Sequence, residues 1–388
     1  MERATAGMES FGSRHVPELD GLRGIAILSV IVHHQLTPFS LSGGFLGVDL
    51  FFVLSGFLIT GLLGAEFEQS KTISLRNFYM RRVLRLGPAL LLYLIACLLV
   101  TYHTQLLGTF QELKLIAIAL AYSTNWRMAF GWDASLDPTA IIWSLSIEEQ
   151  FYLVWPVLLS GCLALKLKRR FIVGGLVVVI LAIAIRRYWL LSSGANFTRL
   201  YYGTDTRADA LLTGCLLALL PMKDVSIRNK KLLGLVSLLS AAGFLYLLRR
   251  SNFTDEFLYG GGFSLIALMA GVVILVAADS PPRILSAVLQ TRLLRCFGKI
   301  SYGLYLWHWL VVRSTSFYYL GYWEPWAKLA LAIGISSASF CLIERRFNRL
   351  KTQFSPRKTE YESGPPFVVI EPVTSGKPPS SVPIPLAN

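Results

Sequence analysis

The feature that most limits how this chain can fold is a series of ten apolar runs, near residues 24–40, 45–64, 84–102, 141–163, 171–190, 207–222, 231–248, 257–278, 301–320 and 327–347. Crossing the ~30 Å hydrocarbon core takes about 20 such residues in an α-helix. A helix also satisfies its own backbone polar groups, which lipid cannot do. The pattern therefore predicts an all-α fold, a polytopic membrane helix bundle of about ten transmembrane helices. A further run, 113–124, is short for a full crossing and is expected to be a re-entrant or interfacial segment. Composition agrees, since only 15% of the 388 residues are charged where a soluble protein carries about a quarter.

Charge sets the expected topology. A net charge of +14 would suggest nucleic acid for a soluble domain. Here it is explained by lysines and arginines in cytoplasmic loops, so no nucleic-acid partner is expected. The basic clusters are Lys71 to Arg85, Lys166 to Arg170, Lys223 to Lys231, Arg283 to Lys299 and Arg345 to Lys351. If 113–124 does not cross, all five fall on the side of the N-terminus, and both termini are cytoplasmic. Arg186, Arg187, Arg249 and Arg250 are outward exceptions.

Residues 1–20 are polar with no apolar core, so they read as a cytoplasmic N-terminal segment and leave insertion to the first span. Residues 21–347 form the transmembrane domain. The Pro- and Ser-rich stretch 351–388 reads as a disordered tail. The five cysteines are scattered singly, so neither a disulfide nor a metal site is expected.

Ionisable groups inside apolar runs mark candidate chemistry, because lipid makes them costly to keep. GLRGIAILSVIVHH, 21–34, places Arg23 and His34 on one helix, ~16 Å apart along its axis. His33 points ~100° away from His34. Asp49 sits inside the next run and needs a partner, a histidine or an arginine being the natural one. With a histidine it would fix a tautomer for general-base work. Arg82 and Arg85 share a helix face in FYMRRVLRLGP, as topology determinants or as a phosphate clamp. In WSLSIEEQFYLVWP, Glu148 and Glu149 lie close to one helix end, and at least one should face a cavity or a basic partner. Asp205, Arg207 and Asp209 in YYGTDTRADALLTG suit either a polar vestibule or an interfacial ion-pair network. GKISYGLYLWHWLV places His308 and Tyr305 among tryptophans, as an interfacial belt or as the lining of a sugar or cofactor groove.

Six blocks, DGLRGIAILSVIVHH, GVDLFFVLSGFLIT, FYMRRVLRLGP, WSLSIEEQFYLVWP, TDTRADALLTG and GKISYGLYLWHW, occur in this order from about Leu19 to Phe347. Together they resemble acyltransferase family 3, integral-membrane enzymes that O-acylate glycans and other exported molecules. The resemblance implies that the family's essential Arg/Lys-x10-His pattern falls on Arg23 and His34, and its Arg-x-x-Arg motif on Arg82 and Arg85. The family's aspartate in the GVD block falls on Asp49 and its WSL-block acid on Glu148. One departure is visible. Many relatives end their last helix in Ile-Glu-Arg-Pro-Phe, whereas this chain reads Ile343-Glu344-Arg345-Arg346-Phe347, which should change how that helix ends.

What the resemblance implies is transfer of an acyl group, usually acetyl, from cytoplasmic acetyl-CoA to a hydroxyl of a glycan or small-molecule acceptor on the outer side. Arg82 and Arg85 would hold CoA phosphates and Arg23 the thioester end. His34 would serve as general base or acyl carrier, with Asp49 and Glu148 in the catalytic set. From the residues themselves and not from the resemblance, Asp205, Arg207, Tyr305 and His308 are the substrate-binding candidates. Without a fused extracytoplasmic domain, the chain would work alone or with a separate partner. The physical rival is a proton-coupled secondary transporter using His34, Asp49 and Glu148, which would consume no acetyl-CoA. A sterol or lipid sensor ranks behind both.

Overall fold

A computed structural model describes residues 15–35, 41–104, 108–131, 137–220, 227–314 and 317–354. Residues 1–14 and 355–388, with most of the expected N-terminal segment and tail, lie outside the described residues. The described residues form helices and no strands. In chain order they are α1 (Pro17–Gln35), α2 (Gly47–Ser70), α3 (Leu75–Thr104), α4 (Thr109–Leu120) and α5 (Thr124–Ala129). Next come α6 (Trp143–Ala164), α7 (Arg169–Ser192), α8 (Phe197–Tyr202), α9 (Thr204–Ala218) and α10 (Ile227–Arg250). The last are α11 (Phe263–Asp279), α12 (Arg283–Leu289), α13 (Arg292–Ser314), α14 (Glu324–Ser339) and α15 (Arg345–Leu350).

A helix lies on each of the ten apolar runs. Among the described residues, six helical stretches are long and apolar enough to cross a membrane: those of α2, α3, α7, α10, α11 and the α14–α15 stretch. The four runs outside that set are carried by α1, α6, α9 and α13, which hold Arg23, Glu148, Arg207 and Lys299. These polar helices can be tolerated where other helices shield them from lipid. The apolar helices divide accordingly. Those of α7 and the α14–α15 stretch bury 11% and 17% of their most apolar segment, whereas α2 buries 78%. Helix α4, 12 residues long, extends ~18 Å, well short of the ~30 Å core. That length suits the non-crossing segment expected around 113–124.

Glycines set the closest contacts. The most extensive helix pairing is α1 with α13, followed by α2 with α9. A Cβ at Gly24 would fall on the carbonyl of Leu294, and one at Gly298 on that of Asp20. In the second pair, Gly56 and Gly214 meet the backbone of Leu211 and Val53 in the same way. Small residues at such crossings let backbones touch, and packing of this kind drives association in lipid. The end of the chain also answers the missing proline. After a π-helical turn, Phe340–Glu344, the helix runs on as α15 through Arg346, because an arginine keeps the N–H that a proline lacks.

Candidate functional site

Two cavities lie along α1. The larger, about 380 Å³, is lined at one end by Arg23, Arg82 and Arg85, with Glu148, Tyr152 and Ser55 on its wall. The smaller, about 110 Å³, is lined by His33 and His34 together with Trp143, Tyr201, Tyr202, Phe253 and Trp309. Val48 and Tyr305 line both. The helical period explains the pairing, since Arg23 and His34 are three turns apart on one helix and reach different cavities.

The basic chamber is lined from α1, α2, α3, α6 and α13. Arg82 donates from Nε to Glu149 at 3.0 Å and stacks on the ring of Tyr152, 3.0 Å from its centroid. Tyr152 and Ser55 donate to Glu148 at 3.2 and 3.1 Å, so Glu148 anchors the ring beneath the guanidinium. Arg81 faces away from the chamber. It donates to Glu66 at 2.8 Å and to the carbonyl of Phe354 at 2.6 Å. Arg23 lies 3.9 Å from Asp20. Arg85 is exposed and has neither a hydrogen bond nor an ion pair among the described residues. Just past the last helix, burial and the guanidinium groups of Arg85, Arg81 and Arg23 hold the Lys351 ammonium below its ordinary value. This end of the bundle therefore carries a concentrated positive field that its own acids only partly offset.

The septum is tightly bonded. Tyr305 donates to the carbonyl of Ile141 at 3.1 Å, so its 2.6 Å contact with Ser144 has the serine as donor. Beyond it, the His34 and His308 rings lie nearly parallel and meet through their nitrogen edges, with centroids 5.4 Å apart, and His34 packs against Trp309 at 5.2 Å in a T-shaped contact. The nitrogens of His34 and His308 are 3.1 Å apart. His308 is fully buried and lines neither cavity. His33 turns to the carbonyl of Leu41, 3.1 Å away. Trp309 is held from behind by the carbonyl of Asp137, whose carboxylate pairs with Arg127 and caps Thr139.

The remaining candidates are ion-paired. Asp49 pairs with Arg207 at 2.8 Å, each side chain 1% exposed, so its partner is an arginine and not His34. Arg207 also lies 3.7 Å above the ring of Phe263. Asp209 pairs with Arg187 at 2.9 Å, and Asp205 with Arg186 and Arg199 at 2.6 Å. Of the two readings of this block, the structure builds the ion-pair network, and two of the outward arginine exceptions are its counterions. Asp49, Asp205 and Arg207 line neither cavity. Among the described residues, no group of His, Cys, Asp and Glu side chains could hold a metal ion.

Some members of the site escaped the sequence. Tyr152 could have been found, because it stands four residues after Glu148, one helical turn away. Ser55, Ser144 and the Asp137–Arg127 pair had no signal beyond their polarity.

A family model described as an acyltransferase domain matches residues 16–345, which includes every lining residue of both cavities except His15. Among curated proteins, the chain is 35% identical over 350 residues to YrhL of Bacillus subtilis, covering 86% of this chain and 55% of that one. It is 33% identical over 352 residues to the peptidoglycan O-acetyltransferase OatA of Listeria monocytogenes, covering 86% and 56%. To the O-acetyltransferase OatA of Staphylococcus aureus it is 34% identical over 323 residues, covering 80% and 53%. The chain thus spans about half the length of these relatives. No solved structure matches it.

Proposed function

This chain belongs to acyltransferase family 3, and from that premise we propose that it is a membrane O-acyltransferase using acetyl-CoA as donor and a glycan hydroxyl as acceptor. The observation that carries the reading is the pair of cavities meeting at Tyr305 and Val48, one lined by arginines and the other by a histidine among aromatics. Arginine forks suit phosphate oxygens, and a CoA carries several. The three relatives are all named for O-acetylation, two of them of peptidoglycan, and this supports a cell-envelope glycan as acceptor.

In this reading Arg85 and Arg82 bind donor phosphates, and Arg23 lies deeper, toward the thioester. Glu148 acts through Tyr152 as a positioning residue for Arg82. The thioester carbon meets the acceptor hydroxyl near Tyr305, with the aromatic pocket holding the sugar. His34 takes the hydroxyl proton, the new C–O bond forms, the C–S bond breaks, and the proton passes to the departing thiolate. Should His34 carry the acyl group itself, the same imidazole serves, and a trapped acyl-histidine separates the two routes. The basic end faces the cytoplasm of a cytoplasmic or inner membrane, following the loop charges.

The test uses the protein in liposomes with acetyl-labelled acetyl-CoA and soluble glycan acceptors. The expected result is CoA release and labelled acceptor with wild type and neither with His34→Ala. Undiminished turnover in His34→Ala would overturn the role of His34. Acceptor or proton movement without CoA release would favour the transporter.

A further inference from the structure

His308 is the one imidazole that touches His34 yet reaches no cavity, and the reaction above gives it no task. We propose that His308 is a positioning residue that fixes the tautomer of His34, leaving Nε2 of His34 as the lone pair presented to the acceptor. The inference rests on the reading of His34 as the reactive group and adds to it which atom reacts and what holds it there.

The argument starts at the far end of the chain of bonds. His308 Nδ1 lies 3.0 Å from the carbonyl oxygen of Leu304, one turn back on α13. A carbonyl only accepts, so Nδ1 of His308 carries the hydrogen. His308 is fully buried, and no carboxylate pairs with its ring among the described residues. An unpaired charge there would be costly, so the ring is neutral and its Nε2 is an acceptor. The atom 3.1 Å from that acceptor is Nδ1 of His34. It must therefore be the donor, which strips the hydrogen from Nε2 of His34.

The two rings lie 15° from parallel, and the edge of Trp309 closes another side of His34. When Nε2 gains the acceptor's proton, His34 becomes an imidazolium whose Nδ1–H bond to His308 is charge-assisted and stronger. Leu304's carbonyl, through His308, shares in stabilising that charge. The role that a carboxylate often plays behind a catalytic histidine thus falls to a second imidazole, since Asp49 is committed to Arg207. The other charged or titratable groups around His34 are His33, whose ring centroid is 5.2 Å away, Arg313, which stacks on Trp309, and Tyr201, Tyr202 and Tyr305, which line the same pocket.

Forcing the wrong tautomer in a Ser-His-Asp triad costs about ten-thousand-fold in kcat. Here His308→Leu should lower kcat by roughly a hundred- to thousand-fold with donor KM unchanged, because the arginine chamber is untouched. His308→Gln presents an amide oxygen that can accept the same bond and should recover most of the loss. The deciding measurement is 15N NMR of histidine-labelled full-length protein in lipid nanodiscs, with His34 assigned by its disappearance in His34→Ala. Wild type should show His34 protonated at Nδ1 and bare at Nε2, and His308→Leu should populate the other tautomer.

A proton on Nε2 of wild-type His34 overturns the proposal, as does His308→Leu turning over at the wild-type rate. Gln failing as Leu does, in protein that still binds donor, also overturns it. If the Leu variant does not fold, the wild-type spectrum alone decides. An inactive His34→Ala beside a fully active His308→Leu refutes this inference and leaves the parent reading standing. An active His34→Ala removes the parent instead.

Discussion

The two cavities share a wall but differ in kind. The basic chamber is about three times the volume of its neighbour, 380 against 110 Å³, and its arginines are only partly paired. The histidine pocket has no lysine, arginine or carboxylate in its lining and is walled by rings. Among the described residues outside the chamber, several buried arginines meet carboxylates at close range, as in Asp49–Arg207 and Asp209–Arg187. The difference teaches where free charge is kept. It stands at one mouth, where a polyanion could complete it, and is absent from the lining of the pocket that holds His34.

Substitutions can break or sharpen that contrast. The largest effect should come from the pocket. His34→Ala should cost about a hundred- to ten-thousand-fold in kcat with no change in donor affinity, read by CoA release and donor titration. Weaker donor binding in that variant would mean that the two regions are not separate.

Next is an arginine outside both cavities. Arg207→Ala leaves Asp49 buried and uncompensated, a loss of about 3–5 kcal/mol of stability, visible as a lower Tm in detergent. Its effect on turnover should follow from lost folded protein alone. Arg85→Ala tests the opposite kind of arginine. Removing a charge-assisted contact to a phosphate should raise donor KM by about ten- to a hundred-fold, or ~1.5–3 kcal/mol, with Tm unchanged. A drop in Tm equal to that of Arg207→Ala would erase the distinction between paired and free arginines.

The smallest effect concerns salt. Raising ionic strength from 0.1 to 1 M shortens the Debye length from about 10 to 3 Å, so donor KM should rise severalfold. Acceptor KM should hold, because a ring-lined pocket has no charge to screen.

Much of this was legible in the residues. The Arg23 to His34 spacing placed two groups three turns apart, and each now lines its own cavity. Arg82 and Arg85 on one face came from their i, i+3 relation. Long-range pairing was not legible. Asp49 needed a cation, and nothing in the order of residues chose Arg207, 158 positions on, over His34. Nor could spacing choose Glu149 over Glu148 as the partner of Arg82, since adjacent residues differ by ~100° and the helix's rotation depends on packing. The meeting of His34 with His308 is of the same type, set by how α1 rests on α13.

That resting place has a mechanical consequence. Gly24 and Gly298 bring the two backbones into contact near the basic end, and His34 and His308 each stand ten residues farther along their helices. The glycine contact is a fulcrum, and the histidines are the tips of two equal arms ~15 Å long. Tilting one arm by about 4° would shift its tip by ~1 Å, enough to part a 3.1 Å hydrogen bond. A methyl group added at the fulcrum is thus multiplied into a loss of alignment at the far end. The smallest side chains in the bundle thereby set the tolerance of its most demanding contact.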